Sequence, residues 1–298
     1  MIRISYFLFP LLTVLLAVNT LNATVHPKRS EIDVAGVLLG PCGSATAAGP
    51  TGLDDDFTNR SIGSAVVSGP GAVTVTSESV VFKNTLENTG TGDDAFIVTV
   101  RSMPPGFRVE ISTDHGDRYV PVEPHTSSVT VAVSYRGAVT ILVRVTAPGG
   151  LPVLSAFDTV IRATSTISPS ITNETIDRIY TGFIRLDHSH VIVNRTGVGG
   201  PADAVPGAEV EFIVTYSNIS SSVGTYCSLL AAYNIVINEN GNAPPNNWGT
   251  TTQHVVGAKD SRGGYIVGDR PDSNSLSNIV MRLDAGESGL FTFKRKIR

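Results

Sequence analysis

The sequence predicts an all-β protein: two tandem antiparallel β-sandwiches after a cleaved signal peptide. Three observations carry this. Apolar and polar residues alternate at period two through most of the chain beyond Asp54, as in half-buried strands. The runs are short and separated by turn residues at fairly regular spacing, the pattern of a sandwich rather than of βαβ units. No window sustains a helical period, so very little helix is expected.

Met1-Ile2-Arg3 gives a short positive start, and Ile4 to Val18 is mostly apolar. Asn19-Thr20-Leu21-Asn22-Ala23 follows, with Ala23 placed before the cut. This is the three-part form of a secretory signal. The apolar run contains Pro10 and falls short of the ~20 residues of a bilayer span, so residues 1–23 read as a removable signal peptide. The mature chain is expected to be exported, to the cell surface, the medium or the periplasm, with no transmembrane span.

Residues 24–55 are rich in small residues, Gly and Pro, and read as a flexible leader in which Ile32 to Leu39 forms one strand or a short helix. The first sandwich is expected over 56–182. Val80, Phe82 and Leu86 form one apolar row, interrupted by Asn84. Phe96, Val98 and Val100 form the next. Phe107, Val109 and Ile111 follow the Pro104-Pro105-Gly106 turn. Val129 to Tyr135, Val139 to Val145, and Phe157 to Ala163 complete the set. Residues 171–182 read as a short, strand-like connection with limited hinge freedom.

The second sandwich is expected over 183–298. Its strands are Val191-Ile192-Val193, the alternating Val210, Phe212, Val214 and Tyr216, and Ala231 to Asn238. A long polar stretch, 240–275, separates these from the row Ile279, Met281, Leu283 and a last strand, Phe291 to Ile297.

The net charge is −4 and charged residues make up 16% of the chain. Nucleic-acid binding needs clustered Lys and Arg to displace counterions, and no such footprint is present. The one basic cluster, Lys294, Arg295, Lys296 and Arg298, reads as the solvent face of an edge strand, where charge discourages edge-to-edge pairing. Export permits a disulfide. Cys42 and Cys227 fall in different regions, however, and the sequence leaves their pairing open, with two unpaired thiols the expected state.

Ala204-Val205-Pro206-Gly207-Ala208-Glu209-Val210 through Tyr216-Ser217-Asn218 resembles the opening of a bacterial repeat domain, domain of unknown function eleven. Leu283-Asp284-Ala285-Gly286-Glu287 with Phe291-Thr292-Phe293 resembles its close, and Phe82-Lys83-Asn84-Thr85-Leu86-Glu87-Asn88 resembles a related sandwich. The resemblance covers about three quarters of the chain. It implies immunoglobulin-like sandwiches in an exported surface protein. Some relatives are structural envelope components, among them the large cysteine-rich outer-membrane proteins of chlamydiae. With two cysteines, this chain is unsuited to a disulfide-crosslinked lattice of that type. The family has no agreed catalytic residues.

Candidate chemistry is sparse. There is no Gly-x-Ser-x-Gly, His-Glu-x-x-His or Gly-Lys-Ser/Thr motif, so no enzyme and no cofactor is expected. His188 and His190 share one face of a strand about 7 Å apart. Zinc wants three or four ligands, and a solvent-facing pair is the simpler reading. Asp54-Asp55-Asp56, Asp93-Asp94 and the Asp114-His115-Gly116-Asp117 turn offer carboxylates to calcium; Asp114 and Asp117 most resemble a shortened calcium loop, although Asp and Gly are also ordinary turn residues. Trp248, in a Pro- and Asn-rich loop, and Tyr265 beyond it are suited to stacking on a sugar. Asn59, Asn173, Asn194 and Asn218 head Asn-x-Ser/Thr sequons, which matter only in a eukaryotic secretory pathway. The expected function is that of a non-enzymatic envelope or extracellular structural or interaction protein, whose partner is a protein or polysaccharide. The alternative is a glycan-binding module using the Trp248 loop.

Overall fold

The computed structural model describes residues 33–45, 54–63, 66–67, 74–223 and 229–298. The expected signal peptide, most of the expected leader and Cys227 lie outside them. Residues 33–298 form one compact unit, almost wholly strand.

The first sandwich uses β1 (Val37–Pro41), β2 (Asp54–Ser61), β4 (Glu78–Asn88), β5 (Asp94–Ser102), β6 (Arg108–Ser112) and β7 (Val120–Pro121). It continues with β8 (Val129–Val133), β9 (Ala138–Ala147), β10 (Ala156–Ser165) and β11 (Thr172–Tyr180). One sheet runs β1-β4-β9-β6-β7, the other β2-β11-β10-β5-β8. All pairs are antiparallel except β2 with β11. The orders β1-β4-β9-β6 and β11-β10-β5 are those of an immunoglobulin-like sandwich. Phe82 and Leu86 of β4 meet Phe96, Val98 and Val100 of β5 across a dry core that also takes in Leu39, Ile111, Ile141, Val143 and Ile161. The row 129–135 stops at Val133; Tyr135 lies beyond β8 and is exposed.

Two segments belong to this domain more closely than the sequence indicated. Val37–Pro41, inside the expected leader, is β1, with Leu39 fully buried. Residues 172–180, read as a connection, are β11, an interior strand between β2 and β10. The strand-or-helix expectation for Ile32 to Leu39 overlaps β1, Val-Leu-Leu-Gly-Pro; what hid its place in the core is the Gly- and small-residue-rich sequence around it and partner strands that lie far along the chain.

Asn84, the interruption in the β4 row, faces inward. Its Nδ2 donates to both carboxylate oxygens of Asp177 at 3.1 Å, and its Oδ1 accepts from Thr58 Oγ1 at 3.2 Å. Asp177 is fully buried, and burial pushes its carboxyl up to about 8, against smaller lowering by the Asn84 bond and Arg60. Cys42, just past β1, is disulfide-bonded, and no described cysteine is free. The expectation of two unpaired thiols is thereby overturned; the sequence holds one other cysteine, Cys227.

The second sandwich uses β3 (Val66–Val67), β12 (Ile184–Val193), β13 (Glu209–Asn218), β14 (Ala232–Asn240), α1 (Trp248–Thr251), β15 (Thr252–Asp260), β16 (Tyr265–Val267), β17 (Ser275–Leu283) and β18 (Ser288–Ile297). Its sheets run β15-β18-β13-β12-β3 and β14-β17-β16. β3, contributed from the first half of the chain, pairs in parallel with β12. β18 is therefore an interior strand, not the expected edge. The expected polar stretch 240–275 contains α1, β15 and β16. On β17 the inward residues are Leu276, Asn278 and Val280, while Ile279 and Met281 face out; with apolar residues on both faces, the strand's parity was not readable from sequence.

The two sandwiches trace one circuit. β4 pairs with β9, β5 with β8 and β6 with β9; β13 pairs with β18, β14 with β17 and β15 with β18. The same asparagine closes each. Asn88 Nδ2 donates to the carbonyls of Gly92 (2.9 Å) and Val133 (3.0 Å), and its Oδ1 accepts from Gly90 N. Asn218 Nδ2 donates to the carbonyls of Leu230 (2.9 Å) and Leu283 (3.2 Å), and its Oδ1 accepts from Ser220 N. Backbone bonds correspond too: Asn88 N to Gly137 O and Thr89 N to Gly36 O match Asn218 N to Glu287 O and Ile219 N to Phe183 O. The first circuit continues into β10 and β11. Among the described residues the second has no counterpart of either.

A buried carbonyl left without its donor costs about 1–3 kcal/mol. N88A is therefore expected to lower the unfolding free energy of the first sandwich and N218A that of the second, each by an amount in that range, read from urea titrations. For Asp177, the folded carboxyl keeps its proton to about pH 8 whereas an unfolded one loses it near 3.8. Between these values the unfolded state binds fewer protons, so stability is fully present below the lower value and falls as pH rises, with a slope of up to about 1.4 kcal/mol per pH unit. Denaturant titrations over this window should show that slope in the native protein and lose it in D177N.

Candidate functional site

The structure places the sequence-derived candidates apart from one another. Asp114 and Asp117 lie in the β6–β7 turn. Asp114 Oδ1 accepts from Ser112 Oγ (2.7 Å) and Arg118 N (3.0 Å), and Ser112 Oγ also receives Gly116 N. These bonds, led by Ser112, hold the Asp114 carboxyl below its usual range and close the turn. Asp93 Oδ1 accepts from Tyr135 N, and Asp94 accepts from Ser165 Oγ and Thr166 Oγ1, tying β5 to the end of β10. Asp54, Asp55 and Asp56 fall on β2; their side chains lie outside the described residues. Among the described residues, no three His, Cys, Asp or Glu side chains gather as metal ligands. Of the sequon asparagines, Asn59, Asn173 and Asn218 are buried, and Asn194 Nδ2 donates to the carbonyls of Val198 and Gly200.

Trp248 is a core residue, only 6% exposed. Its indole lies 5.7 Å from the ring of Phe212 and 5.5 Å from that of Phe293. The Gly241 backbone abuts it so closely that a Cβ there would sit 2.1 Å from the indole. The Arg295 guanidinium lies over the ring at 4.3 Å, a cation–π contact. Arg295 is itself fully buried, donating to Thr252 Oγ1 (2.6 Å) and Ser273 O (2.8 Å). Burial lowers it to about 10, with a smaller contribution from Arg298. A sugar-stacking role for Trp248 therefore has no presented ring. The basic cluster is corrected with it: β18 alternates inward Phe291, Phe293 and Arg295, while Lys294, Lys296 and the exposed Arg298 face outward, Lys294 lying 3.9 Å from both Glu209 and Glu211.

His188 and His190 are both exposed, the solvent-facing pair that the sequence suggests. Both lie on the inward side of β12 beside Phe212, at 5.7 and 6.3 Å between ring centres. His188 Nε2 is 3.7 Å from Glu239 of β14. Burial raises the Glu239 carboxyl, and His188 offsets part of that.

Tyr265, like Asp114 and Asp117, lies in the open, 69% exposed. It belongs to a face the sequence did not single out. Across the outer side of β14-β17-β16, Val236 pairs with Ile279 and Ile279 with Tyr265. Tyr233, Val267 and Met281 (67% exposed) surround this row. At the Tyr233 end the face runs into an open groove of about 490 Å³ lined by Leu229, Leu230, Ala231 and Arg282. The corresponding sheet of the first sandwich is charged on its outer side: Glu174 takes Arg101 at 2.6 Å and Arg162 at 2.5 Å, and Arg178 takes Asp158. The contrast was hidden because Tyr233, Val236 and Met281 read as core from composition alone.

Among the described residues no helix is long and apolar enough to cross a membrane. The chain matches no family model and no curated protein. Among solved structures it is similar to the C-terminal domain of the Streptococcus agalactiae AgI/II polypeptide BspA, at 8% identity and a TM-score of 0.38, over 89% of this chain and 91% of that one. A second BspA C-terminal structure gives 9% identity and 0.34 over 74% and 84%. The secreted serine protease VesC from Vibrio cholerae gives 10% identity and 0.24 over 74% of this chain and 44% of that one. Scores at this level assign neither family nor activity.

Removing a buried indole costs about 3–5 kcal/mol, whereas an exposed side chain is worth within about 0.5. In guanidinium unfolding, W248A should lose stability on the first scale and Y265A on the second. Equal effects would mean that Trp248 is not packed as described.

Proposed function

We propose that this is an exported, non-enzymatic interaction protein of the cell surface or extracellular space, related in build to the domain-of-unknown-function-eleven sandwiches that its strand openings resemble. The observation that carries the reading is the outer face of β14-β17-β16. Tyr233, Val236, Tyr265, Val267 and Met281 are all exposed together there, on a three-stranded sheet. Contiguous apolar surface of this kind marks contact with another macromolecule, and aromatic residues and Met are enriched at such contacts. The charged, internally paired face of the first sandwich suits a solvated spacer.

The test is retention by washed cell envelopes of the source organism. The native protein should stay with the envelopes until denaturant is added. The doubly charged variant Y265E/M281E, folded by circular dichroism, should wash off, with binding weakened at least tenfold. Equal retention of both, or native protein free in the medium, would overturn the reading.

A further inference from the structure

We infer that the outer face of β14-β17-β16 carries a saccharide site: a groove beside Tyr265 that takes a neutral polysaccharide chain. The inference rests on the interaction reading above and names the chemistry of the partner. The outward row of β17 is Ser275, Ser277, Ile279 and Met281, hydroxylated at one end and apolar at the other. The flanking strands are graded in the same way. On one side Asn240 pairs with Ser275, Asn238 with Ser277 and Val236 with Ile279. On the other, Val267 pairs with Ser277 and Tyr265 with Ile279. Amides, hydroxyls and an aromatic ring thus meet on one surface.

At this border opens a groove of about 460 Å³, lined by Tyr265, Val267, Asp269, Arg270, Ser275 and Ser277. Its wall is fixed by the turn that leaves β16. Gly268 has φ of 88°, and a Cβ there would sit 2.5 Å from Ser275 O. Arg270 N donates to Gly268 O, Ser273 N to Arg270 O, and Ser273 Oγ to Ser275 O at 2.7 Å. The groove is therefore formed before a ligand arrives, which spares part of the ordering cost of binding.

The lining chemistry selects the ligand. A sugar ring presents C–H bonds on its faces and hydroxyls at its edges, so its site needs an aromatic face beside groups that both donate and accept. Tyr265 supplies an exposed ring, apolar in body and polar at the tip. Serine hydroxyls and asparagine amides donate and accept. Ser277 Oγ donates to Asn238 Oδ1 at 2.6 Å, which orients that amide; among the described residues Asn238 Nδ2 and Ser275 Oγ have no hydrogen-bond partner. The charged side chains of the lining, Asp269 and Arg270, are chain neighbours of opposite sign, and Asp269 is held by His254 Nε2 at 2.7 Å and by Gly257 N. A polyanion needs clustered, unbalanced positive charge; this balanced pair suits a neutral ligand. The β17 row from Ser275 to Ile279 spans about 13 Å, long enough for consecutive units of a chain rather than one sugar.

The experiment uses the full chain and envelopes of the source organism in two forms: washed only, and digested with protease until free of detectable protein. Saturable co-sedimentation is expected with both, and soluble oligosaccharides released from the digested material by partial hydrolysis should compete. Y265A and N238A/S277A, folded by circular dichroism, should each bind the digested material at least tenfold more weakly. Y265W, which keeps a ring in place, should bind as the native protein does. Retention by washed but not by digested envelopes would overturn the saccharide site in favour of a protein partner and leave the interaction reading standing; retention by neither would overturn both. Undiminished binding of Y265A and N238A/S277A to the digested material would put the contact elsewhere on the molecule and overturn the inference.

Discussion

One side-chain arrangement organises both halves of this molecule: a buried asparagine at the end of a sheet-one strand, bonded to a carbonyl in the following turn region and to the last carbonyl of a strand in the other sheet. A sandwich is held face to face mainly by apolar contact, which is non-directional. Such contact fixes the distance between sheets better than their register. Asn88 and Asn218 supply direction. Each places the start of the crossing to the second sheet and the end of the return from it at one point. Once these ends coincide, strand alternation assigns inward and outward faces for every residue between them.

The same frame carries two different surfaces. In the first sandwich the last two strands cover the wall, and ion pairs cover the outside. In the second the outside is apolar. This difference stands on one topology, so it belongs to the side chains rather than to the architecture. This is the usual relation between fold and function.

Much of the fold was legible because period two is a local signal. The rows at Phe82–Leu86, Phe96–Val100 and Val210–Tyr216 needed no knowledge of partners. β1 and β11 were read as leader and linker because their burial comes from strands distant in sequence. In β17 the row Ile279, Met281 and Leu283 mixes faces: Leu283 is buried, while Ile279 and Met281, as apolar as the inward Val280, point out. The candidate site was less legible for a related reason. Trp248 looked like a displayed ring because its neighbours are Pro, Asn and Gly, but a glycine flat against an indole and an arginine above it are tertiary facts. Arg295 looked like solvent-facing charge because its sequence neighbours are. Neither Tyr233 nor Val236 carries a mark that separates an outward apolar residue from an inward one; only the strand's neighbours do.

The parallel pairing of β2 with β11 and of β3 with β12 has a kinetic side. Both early segments find their partners only after nearly the whole first sandwich, or the start of the second, has been made. A chain emerging from its N-terminus cannot close its first sheet as it goes, and non-local closure of this kind makes folding slow. For such a chain the last strand to arrive sets the moment at which the structure closes.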